Sequence, residues 1–153
     1  MNDIDDADRR LLRAVQQDSS RSTADLAASV GLSQPAAWRR LQRLKDAGYI
    51  LREQAVLDRE KLGFGVQVFA LVKLTNVGRA NLAGFAKAIG DLPEVVECHV
   101  LMGAADFLLK IVTKDTHAYE RFFFDRLSAF EGIQDVTSLV ALSEIKAASG
   151  VPI

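Results

Sequence analysis

The chain has 153 residues, of which 49% are hydrophobic and 25% charged, a balance that supports a packed core and excludes a disordered chain. A formal net charge of −1 gives no overall attraction to nucleic acid, and the single cysteine, Cys98, excludes a disulfide framework or a cysteine-rich zinc site. The opening M-N-D-I-D-D-A-D-R-R is acidic and unlike a signal peptide, and no apolar run reaches membrane-spanning length, so a cytoplasmic location is expected.

Ile4, Ala7 or Asp8, Leu11, Leu12 and Val15 recur at helical spacing and predict a first helix from about Asp5 to Asp18. Asp3, Asp5 and Asp6 stand at its N-terminus, where the helix dipole favours anions. After a polar connection, Ser22 or Thr23 caps a short second helix, with Asp25 placed as in a weaker capping box. Leu26, Ala27 and Val30 form its apolar side and Gly31 ends it. Small Ala27, four residues before the turn Gly31-Leu32-Ser33, lets two helices cross closely at a steep angle. That is helix-turn-helix geometry, in which the second helix of the pair enters a major groove of double-stranded DNA.

The third helix is expected within Ser33–Ile50. Ser33 offers a capping hydroxyl, Pro35 falls in the first turn, and Gly48 supplies a left-handed stop. Ala37, Leu41 and Leu44 share one face; Pro35, Arg39, Gln42 and Arg43 lie roughly opposite. Arg39, Arg40, Arg43 and Lys45 are cations, and no acid falls between Ser33 and Lys45. A basic face alone is what a solvated surface helix shows; the preceding turn is what points to DNA. Arg39 and Gln42 are expected to read base edges, Arg43 and Lys45 to hold phosphates, and Ser33, Gln34, Pro35 and Ala36 to lie nearest the groove floor. Arg40 projects beside the apolar face, where a structural ion pair and a phosphate contact are both open. Trp38 lies on the flank, where packing against the first helix or a wing competes with base contact. Ser22 and Thr23 either cap only or also meet phosphate.

Y-I-L-R-E-Q-A-V-L-D is β-prone and suggests a small wing or an outgoing strand, and D-R-E-K-L-G-F-G suggests a domain boundary. Residues 1–50 are thus expected to form the helix-turn-helix domain, 51–65 a wing or linker, and 66–148 a second domain. Residues 1–63 hold 11 Lys+Arg and 10 Asp+Glu, a net of +1; residues 64–153 hold 8 and 10, a net of −2.

From Val66 the period changes to two. A strand is expected over 66–75 with Val66, Val68, Ala70, Val72 and Leu74 inward. A helix follows over Arg79–Ile89, strands over Val95–Met102 and Asp106–Thr113, a helix capped by Asp115 to about Phe130, and a strand over Val136–Ile145. The order β-α-β-β-α-β is the ferredoxin-like arrangement, one antiparallel sheet with both helices on one face, so the fold class is α+β. Phe69, Leu71, Leu101, Leu108 and Val112 are expected on the other face, mixed with Lys73, Glu97, His99 and Lys110. An apolar patch of that kind marks a partner surface, and sheet-on-sheet dimerisation through Phe69, Leu71, Leu101 and Leu108 is expected.

Three stretches together resemble the Lrp/AsnC (leucine-responsive, feast/famine) transcription regulators, over nearly the whole chain. They are I-D-D-A-D-R-R-L-L-R-A-V-Q-Q-D with T-A-D-L-A-A-S-V-G-L-S, then W-R-R-L-Q-R-L-K-D-A-G-Y-I, then E-C-H-V-L-M-G-A-A-D-F-L-L-K with a last strand ending near Ser143-Glu144-Ile145. The resemblance implies a DNA-binding domain, a ferredoxin-like effector domain, dimers built into tetramers or octamers, and amino acids as effectors. The family commonly shows Gly-Asp-aromatic-Asp-aromatic where this chain has Gly103-Ala104-Ala105-Asp106-Phe107. The second acid and its aromatic neighbour are kept; the first acid and the intervening aromatic are not.

An effector site is accordingly expected at the turn Met102, Gly103, Ala104, Ala105 and Asp106, with Leu139, Val140 and Ala141 of the last strand nearby. Gly103 admits a ligand to the backbone, and Asp106 offers a carboxylate to an α-ammonium group. The two alanines favour an apolar or aromatic amino acid. The competing reading gives Gly103 to the turn and Asp106 to a cap or salt bridge. No nucleophile set, paired carboxylates, phosphate loop or metal cluster can be argued from spacing, so neither an enzyme nor a cofactor is expected. Two other functions stay open: an enzyme subunit of the same layout, as in sirohaem decarboxylase, and an effector-free DNA-architectural protein.

Overall fold

The computed structural model describes residues 4–147 and 150–153. The chain divides into two compact units, Met1–Val56 with Lys146–Ile153, and Leu57–Ile145. The expected boundary at D-R-E-K-L-G-F-G falls inside the second unit, and the chain from Lys146 onward belongs with the first. Asp3, expected at the start of the first helix, and Ala148, the expected end of the second domain, lie outside the described residues.

The first unit holds three helices, α1 (Asp6–Gln17), α2 (Thr23–Val30) and α3 (Gln34–Asp46). A full capping box starts α1: the Asp5 carboxylate accepts from the Asp8 N–H at 2.8 Å and the Asp8 carboxylate accepts from the Asp5 N–H at 3.2 Å. Ser22 caps α2, accepting from the Asp25 N–H at 3.1 Å while its hydroxyl donates to the Asp25 carboxylate at 2.6 Å. Gly31, at φ +71°, closes α2, and the Leu32 N–H reaches back to the Ala27 carbonyl at 2.9 Å. Leu11, Ala14, Leu26, Ala27, Ala37 and Leu41 pack into one core. Ser33 sits at the N-cap of α3 in extended backbone, but its hydroxyl makes no capping bond, contrary to expectation. Pro35 needs no N–H partner in that first turn, which lowers the demand on a cap. Gly48, at φ +77°, ends α3, with the Tyr49 N–H donating to the Leu44 carbonyl at 2.9 Å.

Of the wing and linker readings of 51–65, the wing's strand is not formed over 51–58, where Leu51 and Val56 are almost fully exposed. Trp38 has no wing to pack on and is exposed as well. The tail returns to α1: the Gln16 side-chain amide donates to the Val151 carbonyl at 2.8 Å and accepts from the Val151 N–H at 3.0 Å.

The second unit is a four-stranded antiparallel sheet in the order β2-β3-β1-β4, formed by β1 (Val66–Leu74), β2 (Val95–Val100), β3 (Phe107–Thr113) and β4 (Ile133–Val140). Val68, Ala70, Val72 and Leu74 of β1 join Leu109 and Ile111 in a buried core with the helix residues Phe85, Ile89, Phe122 and Leu127. The helix expected over Arg79–Ile89 is two pieces, α4 (Asn76–Ala80) and α5 (Leu82–Gly90), broken at Asn81. Helix α6 (Thr116–Phe122) runs on into a wider turn, Phe123–Leu127, closed by the Ser128 N–H on the Phe123 carbonyl at 2.7 Å. Strand β4 begins and ends earlier than the expected Val136–Ile145. The Gly132 carbonyl accepts the Thr75 N–H at 2.8 Å, which starts the pairing there, and Leu142 and Ile145 beyond it are exposed. No helix is long and apolar enough to cross a membrane among the described residues.

Candidate DNA interface and effector domain

Helix α3 is anchored by Ala37, Leu41 and Leu44, all buried, and turns Ser33, Gln34, Pro35, Trp38, Arg39 and Arg43 to solvent. Ala36, Arg40 and Gln42 are half-buried at its edges. Ser22 is exposed and Thr23 half-buried at the start of α2. A shallow hollow lined by Asp5, Ala36, Arg39, Arg40 and Arg43 lies on this unit.

The cations of α3 differ in their partners. Arg40 Nη1 donates to Asp5 Oδ2 at 2.7 Å and to Asp8 Oδ1 at 2.8 Å, so its structural ion pair is realised. The Asp8 and Asp5 carboxylates raise the Arg40 pKa further above its ordinary value. The Asp8 N–H, then Arg40, hold Asp5 below the ordinary carboxylate range. Arg43, expected to face outward for phosphate, donates through Nη2 to Asp8 Oδ2. Lys45 pairs with Glu53 at 2.8 Å. Among the described residues, Arg39 is the one cation of α3 without an acid at ion-pair distance. The residue that spacing does not single out is Asp8: helical spacing puts either Ala7 or Asp8 on the apolar face of α1, and the complete burial of Asp8 demands charged partners.

On the sheet face away from the helices, β1 presents Phe69, Leu71 and Lys73. Phe69 lies opposite Lys110 and Leu139, Leu71 opposite Leu108 and Thr137, and Lys73 opposite Asp135. His99 lies opposite Leu108, and Glu97 opposite Lys110. Lys110 donates to Glu97 at 3.0 Å and, with His99, holds that carboxyl below its ordinary range. Leu101, beyond the end of β2, is half-buried.

The expected effector residues do not come together within one chain. The Met102–Asp106 turn is level with the end of β1, where the Asp106 N–H donates to the Val72 carbonyl at 2.9 Å. Val140 and Leu139 pair with Val68 and Phe69, and the Ala141 N–H donates to the Gln67 carbonyl at 2.9 Å, at the other end of the sheet. At ~3.3 Å per residue, roughly 10–15 Å separate the two sets along the strand direction. The reason is topological: β3 and β4 are both antiparallel to β1, so the start of β3 and the end of β4 meet opposite ends of it. Met102 is fully exposed, Gly103 borders open space, and Ala104 is exposed. Asp106 is engaged already: its carboxylate accepts the Leu74 N–H at 2.7 Å and Arg79 Nε at 3.0 Å, the two contacts that lower its pKa, the Leu74 bond first. Among the described residues no three His, Cys, Asp or Glu side chains gather as a metal site.

Residues 4–45 match the AsnC-type helix-turn-helix domain and residues 67–151 the Lrp/AsnC ligand binding domain. The chain is 35% identical over 150 residues to the transcriptional regulator AzlB of Bacillus subtilis, covering 98% of this chain and 96% of that one. It resembles the crystal structure of an AsnC family transcriptional regulator from Agrobacterium tumefaciens, with a TM-score of 0.91, 37% identity and 97% of both chains covered. It also resembles the complex of the Neisseria meningitidis transcriptional regulator NMB0573 with L-Met, with a TM-score of 0.93, 32% identity and 97% and 96% of the two chains covered. A helix-turn-helix with an outward basic helix, a four-stranded ferredoxin-like unit and matches along almost the full length agree: the chain belongs to the Lrp/AsnC family of DNA-binding transcription regulators.

Proposed function

We propose that the protein is a cytoplasmic, homo-oligomeric regulator, not an enzyme, that reads DNA with α3 and takes an apolar or aromatic amino acid as effector without a resident cofactor. The observation that carries the DNA reading is the division of α3 into a buried Ala37-Leu41-Leu44 face and an opposite face exposing Ser33, Gln34, Pro35 and Arg39. Arg39 and Gln42 are assigned to base edges, and the Ser33–Ala36 turn to the groove floor. Ser22 and Thr23, at the N-terminus of α2, are assigned to phosphate, and exposed Trp38 to base contact.

The effector reading is supported by the relative solved with L-Met, and by the open space beside Gly103. The Met102–Asp106 turn and Leu139–Ala141 become one site only if a second copy supplies one of them. A two-fold axis lying between facing sheets and diagonal to the strands would set the turn corner of one copy over the β4 corner of the other. The apolar residues Phe69, Leu71, Leu101 and Leu108 are assigned to that sheet-on-sheet contact, with tetramers or octamers built from the dimers.

A specific observation favours a second reading, the effector-free architectural protein: Asp106 is occupied by Leu74 and Arg79. One experiment separates the two. Each of the twenty amino acids at millimolar concentration is added to the protein in a thermal-shift assay and in operator-binding titrations. A raised Tm with an altered operator affinity supports the effector; no response to any of them leaves the architectural reading. A purified protein that is colourless and binds no porphyrin sets aside a sirohaem-type enzyme.

A further inference from the structure

Asp8 is fully buried, yet it carries a carboxylate. Its two oxygens span one turn of α3: Oδ1 accepts from Arg40 at 2.8 Å, and Oδ2 accepts from Arg43 and from the Asp5 N–H. Arg40 and Arg43 are three residues apart and therefore neighbours on one side of the helix. Two guanidiniums of the recognition helix are thus engaged by α1, Arg43 while remaining exposed, whereas Arg39, one residue from Arg40, has no acid at ion-pair distance among the described residues. The hollow that Arg39, Arg40 and Arg43 share with Asp5 borders this network. Counting Asp8, three cations there meet two anions, so the local charge is +1 where the arginines alone would give +3.

We propose that Asp8 is a specificity-determining residue: it holds Arg43 away from the DNA backbone, so that base reading by Arg39 outweighs sequence-blind attraction to phosphate. The inference rests on the reading of α3 as the DNA-contacting helix. An arginine that neutralises a phosphate adds affinity for every sequence alike, and so raises non-specific binding as much as operator binding. Discrimination needs the base-reading contact to stand out against that background, and the genome offers competing sites in large excess. A buried acid that engages Arg43 keeps the background low. It also fixes α3 against α1, because one carboxylate grips two successive positions of the helix.

The test is Asp8→Asn. Asparagine keeps the shape but has one acceptor oxygen, and it removes the negative charge from both guanidiniums; Arg40 keeps Asp5, so Arg43 is the one left without an acid. Binding to a random-sequence duplex and to the tightest duplex that the parent protein selects from a random-sequence pool, taken as the operator, is measured by fluorescence anisotropy over a fourfold range of salt. The freed guanidinium should steepen the salt slope on random DNA by about 0.9, which is about 3.5-fold more affinity lost across that range. The ratio of operator to random-sequence affinity should fall. A folded Asp8→Asn protein with the parent's slope and ratio overturns the proposal and leaves Asp8 a purely structural ion pair.

The double variant Asp8→Asn/Arg43→Gln conserves net charge and covers the case in which the single variant does not fold. It should match the parent's salt slope, because Arg43 holds no phosphate in the parent. A slope flattened by about 0.9 means that Arg43 does hold one, and also overturns the proposal. Arg39→Gln, measured alongside, reports on the underlying reading: if it leaves operator binding unchanged, α3 is not the reader, whatever Asp8 does.

Discussion

The carboxylate of Asp106 accepts the backbone N–H of Leu74 at 2.7 Å, so a side chain from the β2–β3 turn closes the end of the β1–β3 ladder. The same residue's N–H donates to the Val72 carbonyl at 2.9 Å, and the register of β1 with β4 shifts between Lys73 and Leu74. Arg79 Nε adds a charged partner at 3.0 Å. An Asp106→Ala protein should therefore melt earlier than its parent, because Leu74 loses its acceptor, and not merely lose a ligand contact. Asp106→Asn keeps an acceptor oxygen but loses the charge, and should lie between the two. The sign with pH follows from the lowered pKa of Asp106. Its contribution is fully present above the ordinary carboxylate value and is lost as pH falls through the lower, folded value. Thermal melts of parent and Asp106→Asn should therefore converge in acid and separate above about pH 4. Equal gaps at every pH would show that the charge on Asp106 does not stabilise the fold.

Arg39 is where a single substitution tests the proposed DNA reading. Arg39→Ala should cost about 1–3 kcal/mol at the operator and relax sequence preference at the bases it reads. Stability should change little, since the side chain is exposed and without an acid partner among the described residues. The measurement is anisotropy on an operator and on single-base variants of it. Unchanged affinity across the set would remove Arg39 from the interface.

The three helices of the first unit were legible because their signals are local. Asp5, Ser22, Gly31 and Gly48 mark ends that the backbone then adopts, and period-3.6 apolar residues supply the core. The succession of strands and helices and the buried side of β1 are legible from the change of period at Val66. What the sequence hid depends on contacts between distant positions. Asp8 and Arg43 are 35 residues apart, so no spacing rule pairs them. Leu74 and Asp106 are 32 apart, and without that bond Asp106 reads as an open carboxylate. Leu139–Ala141 are chemically suitable neighbours for a turn they do not reach, because suitability says nothing about which end of a strand faces which turn. The absence of a strand over 51–58 has a related reason: β-prone residues make a strand only where a partner strand exists.

The open sheet face predicts an assembly phenotype. Leu71 stands between Leu108 and Thr137 on that face. Leu71→Asp would bury a charge at the proposed contact between copies and should give monomers in analytical ultracentrifugation. Operator binding should fall steeply, since two recognition helices no longer act together. If the effector site is shared between copies, the same variant should also lose the amino-acid response. A parent protein that is itself monomeric at micromolar concentration would sink the sheet-on-sheet reading.

Gly78 and Gly132 make a closer approach than any side chain permits. A Cβ on Gly78 would lie 2.4 Å from the Gly132 carbonyl oxygen, and Gly132 is itself at φ +100°. The Thr75 N–H bonds that carbonyl, so this contact joins the start of α4 to the turn that launches β4. Gly78→Ala should cost about 1–3 kcal/mol in urea unfolding, as overpacking against unyielding backbone does. The loss should fall on the second unit, with α1 to α3 unaffected in hydrogen exchange. A neutral Gly78→Ala would mean that the turn at Gly132 can retreat.

The last prediction concerns Gln16 and the returning tail. The Gln16 amide imitates a strand: it donates to the Val151 carbonyl at 2.8 Å and accepts the Val151 N–H at 3.0 Å. Arg13 Nε, one helical turn earlier, donates to the Ile153 carbonyl at 2.8 Å. Gly150 makes the approach feasible: it sits at φ +93°, and a Cβ there would lie 2.2 Å from the Gln16 side chain. All these bonds are exposed, so each contributes no more than about 1 kcal/mol and global stability is a blunt readout. Local opening is the sharper one. Gln16→Ala removes both Val151 bonds and should bring exchange of the Val151 amide to the rate of an unstructured peptide while α1 stays protected. Gln16→Glu keeps an acceptor for the N–H but sets a carboxylate oxygen against the Val151 carbonyl, so it should release the tail too. Asparagine at position 16 is one methylene too short to meet both groups and should also fail. Gly150→Ala should act from the other side, by forbidding the backbone conformation and crowding the amide. Continued protection of Val151 in Gln16→Ala would show that Arg13 and apolar contact alone hold the tail on α1.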